Sequence, residues 1–342
     1  MAKTIRTEDW EKLPDDEILQ MRVRDLNLRI PGSPLEQLVQ KLYDEMDAKG
    51  IRFHPPCYLA DEWFCPDGDP IIGIPFCLAH PRLKTIEQKI MFEVEGGTEE
   101  SCMKLLRHEA GHALNYAYRL YRRTRWRELF GPFSATYSDY YYFRPYSRRF
   151  VIHLEDNYAQ AHPDEDFAET FAVWLTPGSR WQEKYRRWPV IRKLRYVDRL
   201  MSNIDRQSPV TIAHQKPPWS ASRMVSTLAS YYERKKRALG SEFQGFYDDS
   251  LLELFTTKHA GPDFDKASRL LRRHRSLIIS NVTRWTGHRK YDIHQLVNRF
   301  IARCDALGLY AKTTKPDNII GATTLLTAIA SSTESASFKA KR

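Results

Sequence analysis

The chain has 342 residues, 42% hydrophobic and 28% charged, a globular composition long enough for about two domains. No stretch approaches the roughly 18 uninterrupted apolar residues of a membrane span, and five cysteines, an odd number without a CxxC pair, argue against both a disulfide framework and a cysteine-built zinc site. The net charge of +10 is uneven: residues 216–342 carry 22 Lys and Arg against 11 Asp and Glu, while the first 215 carry 31 against 32, which suggests two modules with different tasks.

The opening MAKTIRTEDWEKLPDDEILQ bears acids throughout and has no apolar run, so neither a secretory signal nor a basic transit peptide fits. A cytoplasmic protein with reduced thiols and no membrane partner is expected. Residues 1–20 read as a polar tail. Leu35, Leu38, Val39, Leu42 and Met46 then share one helical face, opened by Ser33 before Pro34 and closed by Gly50. In the aromatic and proline-dense stretch that follows, Pro66-Asp67-Gly68 reads as a turn and residues 71–78 as a strand, which Pro75 confines to a sheet edge. An exposed edge of this kind can pair with an extended peptide substrate, and a plain core strand fits the same residues equally well. Residues 84–97 fit either a short strand or a helix.

After Gly96-Gly97, Thr98 can cap a helix with Glu99 and Glu100 in its first turn, predicted to run to about Arg123. Residues 131–161, with YSDYYYFRPYSRRF inside, read as an aromatic loop region whose tyrosines mainly pack. HPDEDFAETFAVWL opens a second strong helix, and SRWQEKYRRWPVIRKLRYVDRLM supplies one or two more. QKPPWS, around residue 217, marks a module boundary. Helices are predicted beyond it at 223–239, 248–258, 264–281 and 290–307, a basic all-α module over residues 216–322. Residues 323–342 read as a disordered tail.

The chemistry concentrates in LLRHEAGHALNYAY, residues 105–118. Residues four apart lie on one helix face, so His108 and His112 can direct imidazole nitrogens at one ion, and the intervening Glu109 can act as general base on a water at the metal. Catalytic zinc needs a third protein ligand while one position stays open. The metzincin pattern would place its glycine and third histidine on Asn115 and Tyr118, which rules that branch out. A carboxylate from the later helix is required instead, where Glu165, Asp166 and Glu169 are available and Glu165 and Glu169 share a face. His162, before a proline, reads as a loop histidine.

RHEAGHA together with EDFAETFAVW resembles a family of zinc-binding metallopeptidases of the gluzincin type, over about residues 21–215, with a more distant similarity to lethal-factor-like peptidases. The resemblance implies a zincin-like α+β domain, a small sheet with an edge strand plus metal-binding helices, followed by the basic helical module. It also implies that Glu165 is the third Zn2+ ligand and that Glu169 accepts a hydrogen bond from a zinc histidine. In the lethal-factor-like group a tyrosine seven residues before the ligand glutamate stands by the zinc, an offset that Tyr158 occupies here, where it would stabilise the oxyanion.

The expected function is zinc-dependent hydrolysis of a peptide bond in a protein or peptide substrate. The alternative is a catalytically silent zincin scaffold whose basic module binds nucleic acid or an acidic protein. Glu109 favours the enzyme, because a silent scaffold has no chemical need for a base beside the metal.

Overall fold

A computed structural model of the protein describes residues 10–137, 144, 146–154, 157–213, 217–239, 247–258, 261, 263–312 and 316–332. They form a mixed α+β chain with small sheets that divides into two units, one of residues 10–90 and 94–231, the other of residues 91–93 and 232–332. Among the described residues no helix is long and apolar enough to cross a membrane.

The first unit starts earlier than the sequence suggests. Within the expected polar tail, Trp10 and Ile18 are buried, a 3-10 turn covers Trp10–Lys12, and helix α1 spans Asp15–Gln20. Arg82 and Lys89 hold Asp15 at 2.5 and 2.7 Å, so two large apolar side chains and one acid pin a stretch that composition alone marks as loose. Residues 1–9 of that tail lie outside the described residues. Helix α2 (Pro34–Asp47) forms where expected: Ser33 accepts from the Leu35 amide and Pro34 fits the first helical position.

Strands β1 (Cys57–Ala60) and β2 (Ile72–Pro75) pair in parallel, with Cys57 opposite Ile72 and Ala60 opposite Pro75. The strand expected over 71–78 is therefore cut short, because after Pro75 the chain tightens into a 3-10 turn over Phe76–Ala79. Nor is its outer edge open at the centre. All four β2 residues are buried, and Gly73 pairs with Phe64 on that side, its N–H 2.8 Å from the Phe64 carbonyl. A Cβ on Gly73 would stand 2.8 Å from the Phe64 ring, so the glycine permits this cover.

Of the stretch 84–97, which fitted either a strand or a helix, residues up to Met91 belong to helix α3 (Pro81–Met91), and residues 92–97 are neither helix nor strand. The chain then turns through Gly96, whose φ of +75° is available to glycine at no steric cost and where a Cβ would stand 2.9 Å from the Trp63 indole. Helix α4 (Glu99–Ala117) opens with a capping box in which Thr98 accepts from the Ser101 amide and Ser101 from the Thr98 amide. It ends short of Arg123 because Arg119 turns left-handed at φ +47° and the Ala117 carbonyl is taken by the Val210 and Thr211 amides at 2.7 and 3.1 Å.

Helix α5 (Thr124–Phe130), helix α6 (Pro163–Leu175), the short α7 (Trp181–Lys184) and helix α8 (Ile191–Met201) complete the helical layer. Part of the aromatic loop, residues 138–143, 145 and 155–156, lies outside the described residues. Helix α4 is buried along nearly its whole length. It is tied to α2 by a two-pronged ion pair, Arg107 Nε and Nη2 each 2.7 Å from a Glu45 oxygen, both side chains about nine-tenths buried. Helices α4 and α6 meet where Gly111 faces the backbone of Ala168.

The second unit departs from the all-α expectation. Helix α9 (Leu228–Leu239) carries the division between the units, later than the boundary expected near 217, since Thr227 still bridges to Arg22 and the Tyr231 hydroxyl donates to the Asp61 carbonyl. Helices α10 (Asp248–Leu254), α11 (Ala267–Arg273), α12 (Arg275–Thr286), α13 (Lys290–Ala306) and α14 (Asp317–Ser332) enclose a core that includes Ile278, Val282, Leu296 and Phe300. Residues 264–266 are not helical: β3 (Phe264–Lys266) pairs antiparallel with β4 (Tyr310–Lys312), and the predicted helix over 264–281 breaks at His274 into α11 and α12. Helix α14 also corrects the tail expected over 323–342. Ala322, Leu326, Ile329 and Ala330 repeat at helical spacing and are buried, so low charge here marks a core helix, and only residues 333–342 lie outside the described residues.

Candidate metal centre

The C-terminal half of α4, from His108 to Tyr116, and the first two turns of α6 build the site. The α6 segment begins with His162, whose Nδ1 accepts from the Asp164 amide at 3.1 Å, and with Pro163 at the first helical position. Three acids follow in the first turn, Asp164, Glu165 and Asp166, all buried. The positive end of the helix dipole offsets part of the cost of burying them.

His108 and His112 project from α4 toward this turn. Glu165 Oε2 lies 2.9 Å from His108 Nε2 and 3.2 Å from His112 Nε2, and the two Nε2 atoms are 3.1 Å apart. The far nitrogens are equally committed. His108 Nδ1 faces Glu169 Oε1 at 2.8 Å, and His112 Nδ1 faces Asp164 Oδ2 at 2.9 Å. Carboxylates only accept, so each Nδ1 must carry the proton, and in the neutral ring each Nε2 then presents a lone pair. With the Nε2 protons removed, two imidazole lone pairs and a carboxylate oxygen converge on one point, an arrangement that a cation at that point would stabilise. Ligands about 2.0 Å from a tetrahedral zinc stand roughly 3.3 Å from one another, close to these spacings. The residues present fit a zinc ion. His108, His112 and Glu165 form the cluster able to hold a metal among the described residues.

The electrostatics agree. Burial alone would lower the His108 pKa, yet the Glu165 and Glu169 carboxylates outweigh it and push it up to about 9. His112 is driven well up in the same way by Asp164 and Glu165. Burial opposes ionisation of Glu165, but His112 and His108 hold it down at about 2. A pocket that draws protons so strongly onto its imidazoles without a metal has the negative potential that a divalent cation needs.

The two candidate glutamates divide the work. Glu165 addresses both Nε2 atoms, whereas Glu169 addresses the outer nitrogen of His108 and also accepts from the Leu154 amide at 2.9 Å. Tyr158 lies beside the cluster, buried, its ring centroid 5.6 Å from that of His108. Burial and then the Glu109 charge raise its pKa well above the usual phenol range. Glu109, the residue after His108 on α4, is buried. Asp166 turns away from the cluster to Lys193 at 2.5 Å, and burial still pushes its carboxyl up to about 7.

Several members escape a reading of the motif. Asp164 takes three donors: His112, the Tyr116 hydroxyl at 2.6 Å and the Asn115 amide at 2.6 Å. Asn115 and Tyr116 follow the HExxH string by three and four residues, so helical spacing from His112 could have pointed to them. His162, read as a loop residue, is the α6 cap, with its Nε2 3.0 Å from the Ala135 carbonyl. Tyr137 stacks on that ring and donates its hydroxyl to Glu165 Oε1. No spacing rule connects Tyr137 to the motif.

Compared with protein-family models, with curated proteins and with solved structures, the chain finds no match. Its chemistry rests on the cluster itself, a buried HExxH pair joined by a distant glutamate.

Proposed function

We propose that this protein is a zinc-dependent peptide hydrolase with a zincin-like metal-binding domain. The convergence of His108 Nε2, His112 Nε2 and Glu165 Oε2, with both Nδ1 atoms already donating elsewhere, is the observation that carries this reading. His108, His112 and Glu165 would hold the metal, and three protein ligands leave the open position that separates a catalytic site from a structural one. A zinc ion bound there supplies Lewis acidity and lowers the pKa of coordinated water.

The remaining roles belong to the chain's own groups. Glu109 accepts the proton of the attacking water and delivers it to the leaving amine. Tyr158, kept protonated by burial, donates to the developing oxyanion, a contribution typically worth about 3 kcal/mol. Glu169 and Asp164 fix the ring orientation and tautomer of the two histidines.

Metal analysis combined with cleavage of a proteome-derived peptide mixture tests the proposal. The wild-type chain should carry about one zinc and cut peptides, Glu109→Gln should keep the zinc and lose cleavage, and His108→Ala should lose both. A chain that binds zinc but cuts no peptide or protein would replace the peptidase with a metal-bearing scaffold.

A further inference from the structure

Glu165 presents its two oxygens to different partners. Oε2 faces the two imidazole nitrogens, while Oε1 accepts the hydroxyl hydrogen of Tyr137. Tyr137 is held in place by more than that bond. Its ring stacks on the His162 imidazole, centroids 4.5 Å apart and planes 24° from parallel. His162 is itself fixed at both nitrogens, one accepting from the Asp164 amide and the other donating to the Ala135 carbonyl. The tyrosine thus rests on the cap of the very helix that carries Glu165. At 38% exposure it is the outward member of the cluster, against 5% for Glu165.

We propose that Tyr137 is a positioning residue that restricts Glu165 to coordination through a single oxygen. The proposal rests on the metal-centre reading above. A carboxylate can bind a metal through one oxygen or both, and a second oxygen would fill the position that a hydrolytic site must leave for water. A hydroxyl donor on Oε1 opposes that swing, because turning Oε1 toward the metal would give up a charge-assisted hydrogen bond. The site needs such a brake more than most, since Glu165 meets both histidines through Oε2 alone.

Cobalt(II) in place of zinc reports coordination number directly through its visible absorption. Wild type and Tyr137→Phe would each be titrated with Co2+, with affinity read by competition against a chelator and kcat and KM measured on the loaded proteins. Wild type should show the intense bands of a four-coordinate site. Tyr137→Phe should still bind one cobalt, with bands weakened and moved toward higher coordination, and with kcat down about tenfold or more at little changed KM. His162→Asn keeps a competent helix cap but removes the stacking platform, and should move the bands the same way. Identical spectra for wild type and both variants would overturn the proposal, even if activity fell. A wild-type chain that takes up no cobalt would instead overturn the metal-centre reading, and this proposal with it.

Discussion

A Cβ added to Gly111 would stand 2.8 Å from the Cα of Ala168, so the two helices that bear the cluster touch backbone to backbone. Gly111 sits inside the HExxH string, one residue before His112. Its lack of a side chain sets how closely α4 can approach α6, and that approach lets histidines on one helix reach acids on the other.

Gly111→Ala should therefore push the helices apart, at about 1–3 kcal/mol of stability, the usual cost of overpacking a close interface. Higher intrinsic helix propensity for alanine, worth about 1 kcal/mol, works against this but not enough to cancel it. The same shift should weaken zinc binding, because it separates His108 and His112 from Glu165. Ala168→Gly should not rescue the variant. The added methyl also meets the Ala168 carbonyl oxygen at 3.1 Å and the Cα at 2.8 Å, and neither is removed by trimming the Cβ. Thermal melts of the single and double variants check this, and an unchanged midpoint in Gly111→Ala would disprove the close contact.

How far the sequence foretells this site depends on how local each interaction is. His108 and His112 were legible because the four-residue spacing is a property of one helix, and Glu165 and Glu169 because the same spacing recurs on another. Which of the two faces the metal follows from the packing of α4 on α6, and no single-helix pattern contains that information. Asp164 was missed because an acid in a helix's first turn has an ordinary explanation in the dipole. Tyr137 reaches Glu165 across a fold-dependent gap. The same distinction explains the elements. Helix α2 announces itself by period and cap, whereas α14 was misread because its apolar face lacks the charged counter-face that makes a helix visible in sequence, and β2 was overextended because Ile71 to Leu78 is apolar whether strand or 3-10 turn.

Asp164 holds the outer nitrogen of His112 as Glu169 holds that of His108, and it is better anchored, with Asn115 and Tyr116 both donating to it at 2.6 Å. Asp164→Asn should keep the shape but weaken the carboxylate's pull on the Nδ1 proton, and the amide can turn a donor toward the ring. Loss of such an orienting partner typically costs 10–100-fold in metal affinity. Asp164→Asn and Glu169→Gln should each fall in that range, measured by chelator competition, while His108→Ala loses binding altogether. Unaltered affinity in both carboxamide variants would show that neither acid sets the histidine tautomers.

Protons and metal compete for the same lone pairs, and the pKa shifts fix the direction. His108 in the folded, metal-free chain is raised from 6.5 to about 9, and His112 is raised also, so their contribution to stability is fully present below pH 6.5 and is lost as pH climbs through about 9. Glu165 is lowered from 4.5 to about 2, so its contribution is present above pH 4.5 and is lost as pH falls through about 2. The metal-free chain should accordingly be steadiest between about pH 4.5 and 6.5 as far as these groups decide it, with a melting midpoint that declines from there toward pH 9. Zinc must displace the imidazolium protons, so its affinity should rise with pH over the same interval and protons should be released on binding. Melting curves with and without saturating zinc from pH 6 to 9 test both halves. The stabilisation by zinc should widen steadily with pH, and an increment that stays flat would mean the imidazoles are already neutral in the metal-free protein and that the surrounding carboxylates do not govern them.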